Sequence, residues 1–155
     1  MHTTLPTATL GRTGLKVTRL GFGCALWKPD RPQWTPEQAR TVWGTALDAG
    51  INFFDTAYDY VFSEEWIGWA LQSRNDEFYL ATKCGCTDAR PTSSMNNSDH
   101  EWTRDNLFRN MEISLRRLNR DSVDIIQLHK VSKFYEKISR ATLPCTSVSR
   151  KSRPA

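Results

Sequence analysis

The stretch Phe53-Phe54-Asp55-Thr56-Ala57-Tyr58-Asp59-Tyr60-Val61-Phe62-Ser63-Glu64-Glu65-Trp66-Ile67-Gly68 opens as a short apolar run and meets a carboxylate where that run stops. A polar and aromatic loop follows. The chain then restarts as a helix capped by Ser63, with Glu64 and Glu65 in the first turn, where the helix dipole favours negative charge. This is a strand, a loop and a helix with an acid at the strand's carboxyl end. In parallel α/β folds reactive groups collect at that end, so the unit says where to look for others. Phe78-Tyr79-Leu80-Ala81-Thr82 runs into Lys83, and Val123-Asp124-Ile125-Ile126-Gln127-Leu128 runs into His129. An acid, the phenol of Tyr60, an amine and an imidazole therefore stand at successive strand tips.

The rest of the chain alternates in the same way. Thr9-Leu10, the turn Gly11-Arg12-Thr13-Gly14 and Leu15-Lys16-Val17-Thr18 predict a hairpin, because two glycines can take positive φ between alternating segments. Leu20 to Leu26 is a first buried strand, in which Gly21 and Gly23 mark close packing or close access to the backbone. A loop broken by Pro29 and Pro32 leads to Thr35-Pro36-Glu37-Gln38, an N-cap with proline at the first helical position and a capping-box glutamine. That helix carries Ala39, Val42, Trp43, Ala46 and Leu47 on one face and ends at Gly50, and the next groups Trp66, Ile67, Ala70 and Leu71. Cys84 to Glu101 reads as a long polar loop. A third helix runs from about Thr103 to Leu118 with Leu107, Phe108, Met111, Leu115 and Leu118 as its buried face and Asn119 as its cap. The order hairpin, β, α, β, α, β, α, β predicts right-handed parallel crossovers.

Composition narrows the function classes. No stretch has the 18 or more apolar residues of a membrane span and Met1 to Leu10 lacks the pattern of a secretory signal, so a cytoplasmic protein without membrane partners is expected. The four cysteines lack the density of a secreted disulfide framework. The net charge of +4 has a local origin: residues 130–155 hold seven Lys or Arg against one acidic residue, and residues 1–129 are slightly acidic. Without a basic face on the folded part, no nucleic-acid partner is expected. Cys84-Gly85-Cys86 has one residue too few for the usual zinc spacing, with only His100 nearby in the loop, so no metal is expected.

Carbonyl reduction is a chemistry that the four strand-tip groups can serve together. Reducing a carbonyl needs an acid that gives a proton to oxygen as hydride reaches carbon. A phenol titrates near pH 10, too high for that task at neutral pH. An ammonium about 4 Å away, at an effective dielectric of about 20, favours the phenolate by about 4 kcal/mol before desolvation. Lys83 can supply that charge, Asp55 can keep the amine protonated and aimed, and His129 can donate a hydrogen bond to the carbonyl or relay a proton. Singly, each has a plainer reading: a loop-binding acid, a loop aromatic, a surface amine, a strand-end histidine.

With these residues in view, the sequence resembles the aldo-keto reductases. The likeness rests on Leu10-Gly11-Arg12-Thr13-Gly14, Leu20-Gly21-Phe22-Gly23, Phe54-Asp55-Thr56-Ala57 with Tyr60, Ser63-Glu64-Glu65 with Ile67-Gly68, Ala81-Thr82-Lys83 and Gln127-Leu128-His129, spanning about residues 8–129. The resemblance implies a partial (β/α)8 barrel of the α/β class: a hairpin across the bottom, about four parallel strands and three helices in residues 1–129, and a divergent basic tail, read as disordered, in 130–155. It places the catalytic tetrad on Asp55, Tyr60, Lys83 and His129, and Gly23, Cys24 and Asp55 beside the cofactor. It puts the loop from Trp27 to Trp34 near the substrate mouth. The implied activity is NADP-dependent reduction of small aldehydes or ketones, or sugar oxidation in reverse. A complete barrel takes about 250 residues, and in this family the later strands hold most of the dinucleotide; no Gly-x-Gly-x-x-Gly fingerprint replaces them here. The alternative expectation is a silent half-barrel or interaction protein that self-associates through open sheet edges.

Overall fold

A computed structural model describes residues 4–25, 34–74, 78–87 and 99–131. The tail read as disordered lies outside these residues from 132 onward, as do most of the loop after Trp27 and the middle of the loop after Cys86. The elements are β1 (Thr7–Thr9), β2 (Lys16–Thr18), β3 (Phe22–Gly23), α1 (Pro36–Asp48), β4 (Phe53–Asp55), α2 (Ser63–Ala70), β5 (Tyr79–Cys84), α3 (Arg104–Leu118) and β6 (Ile125–Leu128). β1 and β2 form the antiparallel hairpin, and the other four strands pair in parallel in the order β3-β4-β5-β6. With three helices on one face, this is the partial (β/α)8 barrel the sequence predicts. Among the described residues no helix is long and apolar enough to cross a membrane.

Local signals account for the element ends. Thr35 and Gln38 close a reciprocal capping box at the start of α1, and Gly50 at φ +87° turns the chain into β4. Asn119 caps α3 in the left-handed conformation. The hairpin is anchored at the amino end of the sheet: Thr18 N–H donates to Asn52 Oδ1 at 2.7 Å, and Asn52 Nδ2 donates to Lys16 O at 2.9 Å. Asn52 directly precedes β4, so the hairpin sits opposite the strand tips.

The core lies between sheet and helices. Phe54 and Leu80 from the strands meet Trp43 and Leu47 of α1, Ile67 of α2 and Leu71 at its C-cap, and Leu118 of α3. Helices α2 and α3 approach closely at Gly68, where a Cβ would stand 2.7 Å from the carbonyl carbon of Leu118. Three sequence expectations shift here. Ser63 does not cap α2: the cap position is Phe62, without a side-chain bond, and the Ser63 hydroxyl instead donates to Cys24 O at 2.8 Å and contacts Thr56 Oγ1 at 2.9 Å. Glu64, read only as a first-turn acid, is buried, accepting from Thr82 Oγ1 at 2.7 Å and Arg117 Nη1 at 3.2 Å. Phe108 is 41% exposed, because with Ile126 it flanks an apolar groove beside β6, which pairs only with β5 among the described residues.

Two predictions follow from this packing. Gly68→Ala should destabilise the protein by about 1–3 kcal/mol, since the added methyl meets backbone rather than a yielding side chain. Gly44→Ala, within α1 and facing only the Arg74 guanidinium at 3.6 Å, should stabilise by about 0.5–1 kcal/mol. Urea midpoints moving the same way in both variants would contradict this account of the helix contact. The second concerns Glu64, whose carboxyl is pushed above its ordinary value of 4.5 by burial, against the opposing pull of its hydrogen bonds and of Arg117. The folded state then binds this proton more tightly than the unfolded chain does. The stability of the parent relative to Glu64→Gln should therefore be greatest below pH 4.5 and fall as pH rises through the folded-state value. Urea titrations of both proteins across that range check it; a difference that grows with pH refutes it.

Candidate active site

Parallel register brings the predicted groups together. Gly23 is level with Asp55, Asp55 with Ala81, and Lys83 with Gln127. Lys83 Nζ donates to Asp55 Oδ2 at 2.6 Å and to Thr56 O at 2.7 Å. The other Asp55 oxygen accepts from Gln127 Nε2 at 3.1 Å, so three neighbouring strands share one polar network. The Lys83 ammonium lies 4.7 Å from the centroid of the Tyr60 ring, within cation–π range. The Tyr60 ring in turn meets His129 edge-on, 5.9 Å between centroids. Asp55, Tyr60, Lys83 and His129 are thus contiguous at the carboxyl end of the sheet.

Backbone geometry aims the two rings. Tyr60 is followed by Val61 at φ +48°, and His129 by Lys130 at φ +52°. A β-branched residue in the left-handed region is strained, at a cost of order 1–3 kcal/mol. The Tyr58 carbonyl that leads into this loop accepts from Arg117 Nη1 at 2.8 Å, and the guanidinium stacks 4.9 Å over the Tyr58 ring. The buried Glu64 and Arg117 thereby support the loop carrying Tyr60 from beneath.

Of the residues expected beside a cofactor, Gly23 is exposed and a Cβ there would meet nothing within 4 Å, leaving open space next to Asp55. Cys24 differs: its side chain is fully buried in the hydrophobic core, where desolvation raises its thiol pKa far above the ordinary value. Only its backbone reaches the strand tip, N–H donating to Asp55 O at 2.8 Å.

A second group adjoins His129. Its Nδ1 is 3.2 Å from Asp59 Oδ1 and 3.4 Å from Cys86 Sγ, and His100 Nε2 is 3.6 Å from the same sulfur. Neither Asp59 oxygen has a hydrogen bond of good geometry, although the residue is fully buried. Burial, then the facing carboxylate, raises the Cys86 thiol pKa. Sequence reading singled out neither Asp59 nor Gln127, and weighed Cys86 with His100 and with Cys84, although the Cys84 sulfur faces Gln127 O at 3.6 Å instead. The available signals were a carboxylate one residue before Tyr60 and an amide two residues before His129.

Comparison with known proteins gives the family. The sequence profile of the Aldo/keto reductase family matches residues 19–141, which carries the likeness past His129. The oxidoreductase YrpG of Bacillus subtilis is 35% identical over 136 residues, covering 80% of this chain and 40% of that protein. The aldo-keto reductase yakc [NADP(+)] of Schizosaccharomyces pombe is 32% identical, covering 94% of this chain and 43% of that one. Among solved structures, an aldo-keto reductase from Bacillus halodurans in its holo form superposes with a TM-score of 0.68 at 31% identity, covering 80% of this chain and 40% of that one. The chain spans less than half the length of each. With the family profile matched over most of its residues and the strand tips arranged as described, the chain belongs to the aldo/keto reductase family.

Proposed function

We propose that this site serves NADP-dependent reduction of an aldehyde or ketone to an alcohol, with Tyr60 as the general acid. The observation that carries the reading is the Lys83 ammonium, held at 2.6 Å by Asp55 and lying over the Tyr60 ring. The fission-yeast relative, named for NADP(+), supports the choice of NADP. The open space at Gly23, level with Asp55, fits the flat nicotinamide end of such a cofactor. When bound, the cofactor supplies a hydride to the carbonyl carbon.

The chain's own residues handle the proton. Tyr60 O–H gives its proton to the carbonyl oxygen and becomes a phenolate, which the Lys83 ammonium stabilises. Asp55 keeps that ammonium charged and pointed, and Gln127 orients Asp55. His129 donates a hydrogen bond to the carbonyl oxygen, polarising it. A second reading, a silent chain that associates with itself, draws on the exposed Ile126 and Phe108 at the β6 edge, where among the described residues strand and apolar groove both lie open.

The acid–base reading is tested in a full-length relative whose matching segment is replaced by residues 19–141 of this chain. NADPH-dependent reduction of an aromatic aldehyde is expected, and Tyr60→Phe should lower kcat/KM about 10²–10⁴-fold while NADPH binding stays close to the parent's. A Tyr60→Phe variant as active as its parent would remove Tyr60 from the chemistry. The 155-residue chain alone should consume little NADPH, because this site would meet only the nicotinamide end and orientation comes from binding along the whole dinucleotide. It should also sediment as a dimer or larger species. A compact monomer across micromolar concentrations would end the self-association reading, and tight NADPH binding by calorimetry would end the positional argument.

A further inference from the structure

We propose that Asp59, Cys86, His100 and His129 form a tetrahedral site for a zinc-class divalent ion. The four residues come from four places: the loop after β4, the segment after β5, the segment before α3, and the tip of β6. Cys86 and His100 are held opposite each other by an antiparallel bridge, with Glu101 N–H donating to Gly85 O at 2.7 Å and Thr87 N–H donating to Asp99 O at 2.9 Å. The fold therefore sets the spacing of the donors, and the short Cys-x-Cys interval is irrelevant because Cys84 is not among them.

The spacing matches the ion. Zinc bonds of about 2.0–2.3 Å to nitrogen, oxygen and sulfur place tetrahedral donors about 3.3–3.6 Å apart. Here Nδ1 of His129 stands 3.2 Å from Asp59 Oδ1 and 3.4 Å from Cys86 Sγ, and Cys86 Sγ stands 3.6 Å from His100 Nε2. All four donor atoms lie within 4.8 Å of one another, so the longest separations close with small side-chain rotations. One thiolate, two imidazoles and one carboxylate are a borderline set that suits zinc and its spectroscopic substitute cobalt better than magnesium or calcium.

An independent observation points to a cation. Asp59 is 0% exposed and neither of its oxygens has a hydrogen bond of good geometry, although Oδ1 stands 3.2 Å from His129 Nδ1 and one carboxylate oxygen lies within the donor cluster. A buried carboxylate left so is costly, and a bound dication relieves it. Coordination through Nδ1 would also leave the His129 Nε2 protonated, fixing the tautomer that can donate a hydrogen bond. The inference does not rest on the reductase reading, and its test is spectroscopic.

The full chain, stripped by a chelator, is titrated with Co²⁺. One ion per chain is expected, with the intense visible bands of tetrahedral cobalt and a near-ultraviolet thiolate charge-transfer band, all bleached by Zn²⁺. Cys86→Ser should abolish the charge-transfer band, and Cys84→Ser should keep it. His100→Gln, at a half-buried position whose fold circular dichroism can verify, should weaken cobalt binding at least about ten-fold, the smallest loss seen when even a supporting partner of a ligand is removed. Weak octahedral bands, a charge-transfer band that survives Cys86→Ser, or unchanged affinity in His100→Gln would each overturn the site.

Discussion

In-register parallel pairing of β4, β5 and β6 is the constraint on which everything else depends. Side chains alternate across a sheet, so a single register decides which face every residue takes. Phe54, Leu80 and Thr82 turn toward the helices, the first two into the apolar core and the third onto Glu64. Asp55, Lys83 and Gln127 turn the other way and meet one another. A slip of one residue between β4 and β5 would turn Lys83 toward the helices and strand Leu80 on the reactive face. The apolar core therefore enforces the polar site, even though the two share no side chain.

The layer between sheet and helices changes character along its length. Near the hairpin it is apolar. Near the strand tips it becomes polar, with Ser63, Thr56, Thr82, Glu64 and Arg117 satisfying one another. Burying an ion pair brings little net stability, because desolvation of both charges offsets their attraction. What Glu64 and Arg117 contribute is position. The guanidinium reaches through the layer to the Tyr58 carbonyl, and so holds a strained loop that the apolar core alone would leave free to choose another course.

His129 belongs to two groups at once. Its ring edge meets Tyr60 on one side, and its Nδ1 faces Asp59 and Cys86 on the other. A histidine whose two nitrogens have different neighbours has its tautomer decided by the neighbour that binds more strongly. The state of the Asp59 and Cys86 side therefore bears directly on what the imidazole can offer to a substrate.

The sequence by itself determined the order of elements, the capping box at Thr35 and Gln38, the left-handed Asn119 cap, and the placing of Asp55, Lys83 and His129 at strand tips. Each of these rests on neighbours a few residues away, so periodicity and turn chemistry carry it. Only the tertiary structure decided the role of Ser63, which leaves its cap to bond the Cys24 carbonyl, and of Glu64, which is buried beneath a strand it does not adjoin in sequence. It also decided that Asn106 and Asn110 of α3 hold the loop after β5 through Glu101 O and Gly85 N, and that Asp59, Cys86, His100 and His129 face one another. These contacts join segments distant along the chain, and a hydroxyl, amide or carboxylate can satisfy itself locally or across the fold. Which partner it takes is settled by burial, because a polar group removed from water must bond whatever the packing brings within reach.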